Sequence, residues 1–202
     1  MSEFTPTRSA VIGLKEERRA MQEGYVFLDE KCLLLAAAML RELKRYDHAT
    51  VVLRTLLARA GETLADSVNR HGLQELQCCT APGSAPLDLR TRQHTLMGVA
   101  LVDATATRET LEVTEPVYPS PEVGACRDAF AALTAHLAEL AAIAGNLERL
   151  HREYRKSVRR VRALQDVLLP ELDRNLYEIE TQLDELERDE ALGARWGRRG
   201  LG

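Results

Sequence analysis

The side chains most able to do chemistry in this sequence are its histidines, cysteines and clustered carboxylates. The 202 residues include five histidines scattered along the chain: His48, His71, His94, His136 and His151. The chain has no HExxH motif, no GxSxG motif and no phosphate loop ending in GK[ST]. The acidic run over residues 184–190 is typical of a solvated helix face. We therefore expect no catalytic site, no metal and no cofactor, and we interpret His151 as a packed structural side chain.

The four cysteines follow neither a zinc-binding CxxC spacing nor a compact disulfide framework. Cys32 lies on an apolar stripe, which predicts a small buried side chain. Cys78 and Cys79 are adjacent in the sequence. We interpret them as an ordinary reduced pair in a loop, with a redox role as the alternative.

A basic stretch over residues 149–162 is the clearest binding signal. Four of its members are spaced by three, four and three residues: Arg149, Arg152, Lys156 and Arg159. The stretch also contains Arg155, Arg160 and Arg162. An acidic protein surface is the partner that we favour. Nucleic acid is a second candidate, but the net charge of -4 and the absence of interleaved aromatic residues disfavour it. A solvated flank that pairs with glutamates across a coiled coil is an equally simple interpretation.

The elements that must position these residues are long helices. The chain is 45% hydrophobic, 29% charged and only 4% aromatic, a composition typical of extended helices. Apolar residues recur every three or four positions in the first third of the chain, which is typical of a coiled-coil seam. The predicted seam positions are Val11, Leu14, Arg18, Met21, Tyr25, Leu28, Cys32, Leu35 and Met39, then, after one extra residue, Leu43, Tyr46, Thr50, Leu53, Leu57, Ala60 and Leu64.

The last third of the chain repeats this spacing. Its predicted seam positions are Phe130, Leu133, Leu137, Leu140, Ala144, Leu147, His151, Tyr154, Val158, Val161, Leu164, Leu168, Leu172, Leu176, Ile179, Leu183 and Leu186. Each long helix exposes an apolar stripe that another element must cover.

The middle of the chain is rich in proline and glycine, which break helices. Within it, residues 95–102 and 109–114 are predicted as two short strands separated by residues 103–108. We therefore predict a mainly α fold: a long antiparallel two-helix coiled-coil hairpin with a small β-hairpin or loop region at the turn. The predicted segments are an N-terminal helix over residues 1–70, a connecting region over 71–121, and a C-terminal helix with a basic tail over 122–202. A parallel homodimer is the alternative pairing.

Pro170 stands inside the second predicted helix. Proline removes one backbone donor and costs about 3 kcal/mol in a helix interior. Helical spacing nevertheless continues beyond it, and Leu169 offers no N-cap for a new helix. We predict a kink at Pro170, not an end, and expect Pro170→Ala to straighten and stabilise the coil.

Cellular location follows from the absence of targeting signals. We expect no membrane helix, because no apolar run approaches the length that such a helix requires. The N-terminus also lacks the basic start and apolar core of a secretion signal. We therefore expect a cytosolic protein.

Three short motifs stand in order on this helix, hairpin and helix plan. The first is Pro6-Thr7-Arg8 with Leu14-Lys15, Arg18-Arg19, Gly24, Leu28 and Lys31, and the second is Met97-Gly98-Val99. The third is Arg159-Arg160-Val161, Ala163-Leu164, Leu169-Pro170 and Leu172, followed by Glu180, Leu183-Asp184-Glu185 and Glu187-Arg188-Asp189-Glu190. From Thr5 to Arg199 the chain thus resembles the D subunits that form the central shaft of the V-type and A-type rotary ATPases.

The resemblance implies a non-catalytic rotor that couples ATP hydrolysis or synthesis in the head to ion movement in the membrane ring. It implies as partners the A and B head subunits, the small F subunit of the central stalk, and the membrane-side funnel subunit (C or d). It also implies a peripheral cytoplasmic position, with no direct membrane insertion and no nucleic acid. With the basic stretch, it makes the following residues candidates for partner interfaces: Arg8, Lys15, Lys31, Arg149, Arg152, Lys156, Arg159, Arg160, Pro170, Glu187 and Arg188.

Two other functions remain open from the sequence. A coiled-coil scaffold or adaptor, as a homodimer, would explain the two seams and the basic stretch without the motifs. Binding of nucleic acid through residues 149–162 is the third hypothesis, and it requires affinity that falls with salt.

Overall fold

Long helices and one β-hairpin form the fold. The computed structural model describes residues 7–78, 87–108 and 120–199. In chain order its elements are α1 (Arg8–Cys78), β1 (Leu87–Leu96), β2 (Val99–Arg108), α2 (Pro121–Ala163), a π-helical turn (Leu164–Leu168) and α3 (Leu169–Arg199). The prediction of a mainly α fold with long helices and a small antiparallel hairpin is confirmed.

The chain divides into two compact units. The terminal unit comprises the described residues of Met1–Leu33 and Tyr154–Gly202, and the central unit comprises those of Leu34–Glu153. Each unit has its own buried side chains and its own polar contacts.

The terminal unit packs the beginning of α1 against α3. Leu14, Leu172, Leu176 and Ile179 are buried together, with Val11, Met21 and Leu183 packed against them. All of these residues are predicted seam positions, and their burial confirms the seam here. Since burying one such side chain contributes about 1.5–3 kcal/mol, this cluster stabilises the packing of α1 against α3.

The start of α1 is capped by Thr7. Its side-chain oxygen accepts a hydrogen bond from the backbone N–H of Ala10 at 3.2 Å, which satisfies one of the donors that a helix N-terminus leaves free. The proposed start signal Pro6 lies outside the described residues.

A π-helical turn precedes Pro170. The backbone N–H of Leu169 donates to the carbonyl of Leu164, five residues earlier. Helical structure continues beyond Pro170, as predicted, and the Pro170 side chain is exposed. One seam prediction fails here: Leu168 is 39% exposed, whereas Leu169 is half-buried. The wider turn places Leu164 and Leu169 on the inner face, although they are five positions apart.

The central unit uses smaller and more polar inner residues than the sequence predicts. Ala60, Ala129 and Leu133 form a buried cluster with Leu53 and Leu56 against it. Further along α2, the buried residues are Ile143, Asn146 and Leu150. The predicted positions Phe130 and Leu137 are 40% and 43% exposed. His151 is exposed too, so its interpretation as a packed side chain is wrong.

In α2 the prediction is therefore right at Leu133, whereas the buried residues Ala129, Ile143, Asn146 and Leu150 each precede a predicted seam position by one residue. In α1, the predicted positions Leu43, Leu57 and Leu64 are likewise exposed. Large apolar residues dominated the sequence pattern, but alanine on the inner face lets two helices approach closely. Polar inner residues are tolerated because they are hydrogen-bonded: His136 Nε2 donates to the carbonyl of Ala49 at 2.7 Å.

The β-hairpin turns at Met97 and Gly98. These residues have φ values of 48° and 81°, as a two-residue hairpin turn requires. The predicted strand over residues 95–102 is therefore wrong, because it runs through the turn, and residues 103–108 lie in β2 instead of a loop. Methionine is an unusual residue at positive φ, so the turn carried a weak sequence signal. The other predicted strand, over residues 109–114, lies outside the described residues.

Hydropathy along the second helical region also differs from the sequence expectation. A window within Pro121–Gly193 reaches a mean hydropathy of 1.3, so this region meets the length and composition requirement for a membrane span. The expectation that no stretch approaches this requirement is therefore wrong. The many alanines of α2 raise its hydropathy, and Ile143 and Leu150 from the same helix are buried in the central unit.

Candidate interaction surfaces

Three ion pairs connect α1 to α3 in the terminal unit. Arg8 pairs with Glu187 at 2.6 Å, Lys15 pairs with Glu180 at 2.7 Å, and Arg18 pairs with Asp173. Their partners descend in sequence as the cations ascend, which is the arrangement of antiparallel helices. We call these contacts the ion-pair ladder.

The ladder sets register more than it adds stability. Its side chains are about half exposed or more, and exposed ion pairs contribute only about 0–1 kcal/mol each. The hydrogen bond that Arg8 donates to Glu187 raises the pKa of Arg8, and the one that Arg18 donates to Asp173 raises the pKa of Arg18. Both guanidinium groups are charged at any physiological pH. Arg8 and Lys15 of α1 thus form ion pairs with α3, and Glu187 of α3 is one of their partners. These three interface candidates already have contacts within the chain.

The remaining terminal candidates have different surroundings. Arg188 is exposed and Lys31 is half-buried. Pro170 lies on the exposed side of the helix just after the π-helical turn.

A cationic surface lies on the terminal-unit part of α2. Its five exposed members are Arg155, Lys156, Arg159, Arg160 and Arg162. In the described part of the chain none of them forms an ion pair. The ladder cations of the same unit, by contrast, all have carboxylate partners. The interpretation of the basic stretch as a flank that pairs with glutamates across the coil therefore does not hold for these residues.

Arg149 and Arg152, the candidates in the central unit, have internal partners. Arg152 donates to Glu148 at 2.7 Å, and Arg149 donates to Asn146 Oδ1 at 2.7 Å. The Nε atom of Arg149 is buried and has no hydrogen-bond partner among the described residues. These contacts give Arg149 a structural role, so the basic stretch is not one uniform surface.

Asn146 attaches the β-hairpin to α2. Its side-chain oxygen accepts the N–H of Val102 at 2.8 Å, and its Nδ2 donates to the carbonyl of Val102 at 2.9 Å. Arg45 of α1 adds a contact at 3.3 Å to Asp103 on the same strand. Sequence reasoning missed Asn146, whose only signal was an amide among the apolar residues of a predicted helix.

Several large apolar side chains of the terminal unit face solvent. Ile12 and Phe27 are each 60% exposed, and Val167 in the π-helical turn is 57% exposed. Exposed apolar groups of this size are typical of surfaces that other proteins cover.

Metal and thiol chemistry depend on where the described histidine, cysteine and acidic side chains lie. Within residues 7–78, 87–108 and 120–199, no three histidine, cysteine or acidic side chains are grouped as a metal site would need. Cys32 is buried, as predicted. Burial, followed by the nearby Asp29 carboxylate, raises the pKa of Cys32 and so disfavours the reactive thiolate. The side chains of Cys78 and Cys79 lie outside the described residues.

Antiparallel helices held by a ladder, with exposed cationic and apolar surfaces, define a helical protein built to contact other chains. Residues 10–195 match the family model of the ATP synthase D subunit. The chain therefore belongs to the family of ATP synthase D subunits, and the resemblance in the three motifs is confirmed.

Relatives from archaea and from an animal support this assignment. The D subunit of the A-type ATP synthase of Thermococcus sibiricus is 27% identical over 196 residues, which cover 91% of this chain and 88% of the relative. That of Methanoregula boonei is 25% identical over 194 residues, with 94% and 93% coverage. The D subunit of the V-type proton ATPase of Suberites domuncula is 26% identical over 188 residues, with 92% and 75% coverage.

Proposed function

We propose that this chain is the central-stalk rotor of an A-type or V-type ATPase, a component that transmits torque and does not itself catalyse. Its proposed partners are the A and B head subunits, the small F subunit of the stalk, and the membrane-side funnel subunit. In this role the protein lies on the cytoplasmic side of the membrane, peripheral to it, as part of the complex. The observation that carries the proposal is the family match over residues 10–195.

The contacts of the terminal unit suit such mechanical work. Torque applied to one helix must reach the other, and both the ladder and the cluster around Leu14 and Leu176 oppose sliding of α1 along α3. Two packed helices resist twisting better than one. The described contacts thus support the shaft role.

A rotor must also contact its surroundings unequally. An effector shifts the equilibrium between states only through its differential interaction with them. In the terminal unit, the surface of α1 includes exposed Ile12 and Phe27, while α2 contributes the cationic surface. Surfaces of such different chemistry favour different neighbours at each orientation of the shaft.

The cationic surface is the proposed contact for an acidic region of a head subunit. We expect Lys156→Glu/Arg159→Glu/Arg160→Glu to weaken binding to the A and B subunits by about tenfold or more, since reversal replaces attraction with like-charge repulsion. The measurement is the affinity of the purified chain for the reconstituted A and B head at two salt concentrations. A matched control is Lys44→Glu/Arg54→Glu/Arg59→Glu, which reverses three exposed cations of α1 in the central unit.

The rotor role itself is tested by stoichiometry and rotation. We expect one copy of the chain per head, and ATP-driven rotation of a bead attached to it. A chain that rotates normally with the reversed surface would remove the interface assignment while leaving the rotor. A stable dimer that binds no head subunit would instead support the scaffold alternative.

A further inference from the structure

The two edges of the β-hairpin differ in how their backbone groups are satisfied. The strands pair from Leu87↔Arg108 to Leu96↔Val99 without a bulge. In a hairpin with a two-residue turn, the pair next to the turn is hydrogen-bonded, and bonded and non-bonded pairs then alternate. Gln93↔Val102 is therefore a non-bonded pair, whose N–H and C=O groups point away from the partner strand.

Contacts of Val102 agree with this register. Both of its backbone groups bind Asn146, so α2 satisfies the outer edge of β2 at this position. The same alternation directs the backbone groups of Leu89, Thr91, Gln93 and Thr95 outward along the edge of β1. Among the described residues, these groups have no hydrogen-bond partner.

The β1 edge has the features of a strand that can accept another. It is ten residues long and contains neither proline nor a bulge. Proteins usually protect such edges by shortening, bending or covering them. The side chains from Leu89 to Thr95 are all exposed, so little covers them.

Charge on one face of β1 indicates what kind of strand fits. Arg90, Arg92 and His94 alternate along this face. Arg90 is paired with Asp88 at 2.9 Å, but Arg92 has no ion-pair partner among the described residues. Asp103, directly opposite Arg92, is instead bound by Arg45 at 3.3 Å and lies 3.6 Å from His94 Nδ1.

We propose that β1 accepts an extended segment of a partner protein as a third strand, and that this segment carries Asp or Glu at alternate positions. Strand addition draws affinity from backbone hydrogen bonds and specificity from alternate side chains. Acidic side chains of the added strand would lie beside Arg92 and His94, at the distance over which neighbouring strands interact. The inference goes beyond the rotor role and does not depend on it.

The experiment measures residue-resolved amide hydrogen exchange of the full chain with a synthetic peptide. The probe is a capped peptide of alternating Val and Glu as long as β1, and the matched control peptide alternates Val and Lys. We expect the Val-Glu peptide to slow exchange by about tenfold at Leu89, Thr91, Gln93 and Thr95. Arg90 and Arg92, whose amides already bond within the hairpin, should change much less. This alternation distinguishes strand addition from general ordering.

Variants at Gln93 separate backbone from side-chain effects. Gln93→Pro removes an outward N–H at a position where an edge strand tolerates proline, and we expect it to abolish protection by the peptide. Gln93→Ala keeps the N–H and should retain that protection. The wild-type measurement decides the question even if Gln93→Pro fails to fold.

Three results would overturn the proposal. One is an absence of alternating protection with the Val-Glu peptide, and another is equal protection by both peptides. The third is slow exchange at the outward amides of the isolated chain, which would mean that the edge is already covered, by this chain or by a second copy.

Discussion

Ser120 organises the beginning of α2 with a single hydroxyl. It donates to Glu122 Oε2 at 3.0 Å and accepts the backbone N–H of Val123 at 3.3 Å. His71 Nε2 lies 2.7 Å from the same oxygen. The Ser120 hydroxyl has one proton, which it donates to Glu122. His71 must therefore donate to the Ser120 oxygen, with its proton on Nε2. One serine therefore caps α2 and connects it to α1 within the central unit.

Ser120→Ala tests this cap. We expect it to lower the free energy of unfolding by about 0.5–2 kcal/mol, since alanine offers no oxygen to the first turn of the helix. Urea denaturation followed by circular dichroism measures the change. Thr134→Ala is the matched control, because among the described residues the Thr134 hydroxyl bonds only the Phe130 carbonyl, one turn earlier. An equal loss in both variants would mean that Ser120 contributes no more than any helical hydroxyl.

Glu122 gives the same network a pH dependence. Its own backbone N–H and then the Ser120 hydroxyl lower the pKa of Glu122 from an ordinary value of 4.5. A carboxylate with a lowered folded-state pKa stabilises the fold above the ordinary value, and this contribution is lost as pH falls through the lower one. We expect NMR titration of Ser120→Ala to move the pKa of Glu122 upward. An unchanged titration would assign the shift to the backbone alone.

Residue type and spacing predicted part of the candidate surfaces. The basic stretch was visible as a run of cations, but which of them are paired depends on the opposite helix. Arg149 donates to Asn146, whereas Arg159 has no ion pair in the described residues. Asn146 could not be predicted as a hairpin anchor, because its partner Val102 is 44 positions away.

At the scale of elements, the helical seam was predictable where large apolar residues line it. Leu14 and Leu35 are buried as expected. Between residues 129 and 150 the pattern was right at Leu133 but failed at most other positions, since the close contact uses Ala129 and hydrogen-bonded His136 in place of Phe130 and Leu137. A hydrophobic pattern in the sequence favours large apolar residues. Closely packed helices instead need small residues, or polar residues with hydrogen-bond partners, at their contact.

The π-helical turn changes what proline costs in this helix. Pro170 cannot donate a hydrogen bond, and its ring would clash with the carbonyl four residues earlier in a regular α-helix. The wider turn alters the carbonyl pairing just before Pro170, as the Leu169 to Leu164 bond demonstrates. It also keeps Leu164 and Leu169 on the inner face.

Pro170→Ala should therefore stabilise the chain by less than about 1 kcal/mol, well below the roughly 3 kcal/mol that removal of proline from a regular helix would give. Chemical denaturation measures the gain. As a reference, Glu178→Pro places proline at an exposed position inside α3 and should cost about 3 kcal/mol or more. If Pro170→Ala raised the free energy of unfolding by as much as Glu178→Pro lowers it, the π-helical turn would not be reducing the cost of Pro170.

At the scale of the whole molecule, some charged and apolar side chains contact other parts of the chain, whereas others are exposed and available to partners. Arg18 and Lys15 pair within the chain, whereas the five members of the cationic surface form no ion pair with the described residues. Exposed Phe27 and Val167 add apolar area that a partner can cover. A chain that covers its main seam internally has no need of a second copy, but it still needs other proteins.

Oligomeric state is the simplest test of this division. Burial of Leu14, Leu172 and Ile179 within one chain leads us to expect the mass of a single chain in sedimentation at low micromolar concentration. Leu172→Asp should lower the free energy of unfolding by several kcal/mol, because it buries a charge in the cluster, and Leu192→Asp, at an exposed apolar position, should change it little. A dimeric mass for the wild type that becomes monomeric in Leu192→Asp would instead place the exposed apolar residues in a homodimer interface and favour the scaffold function.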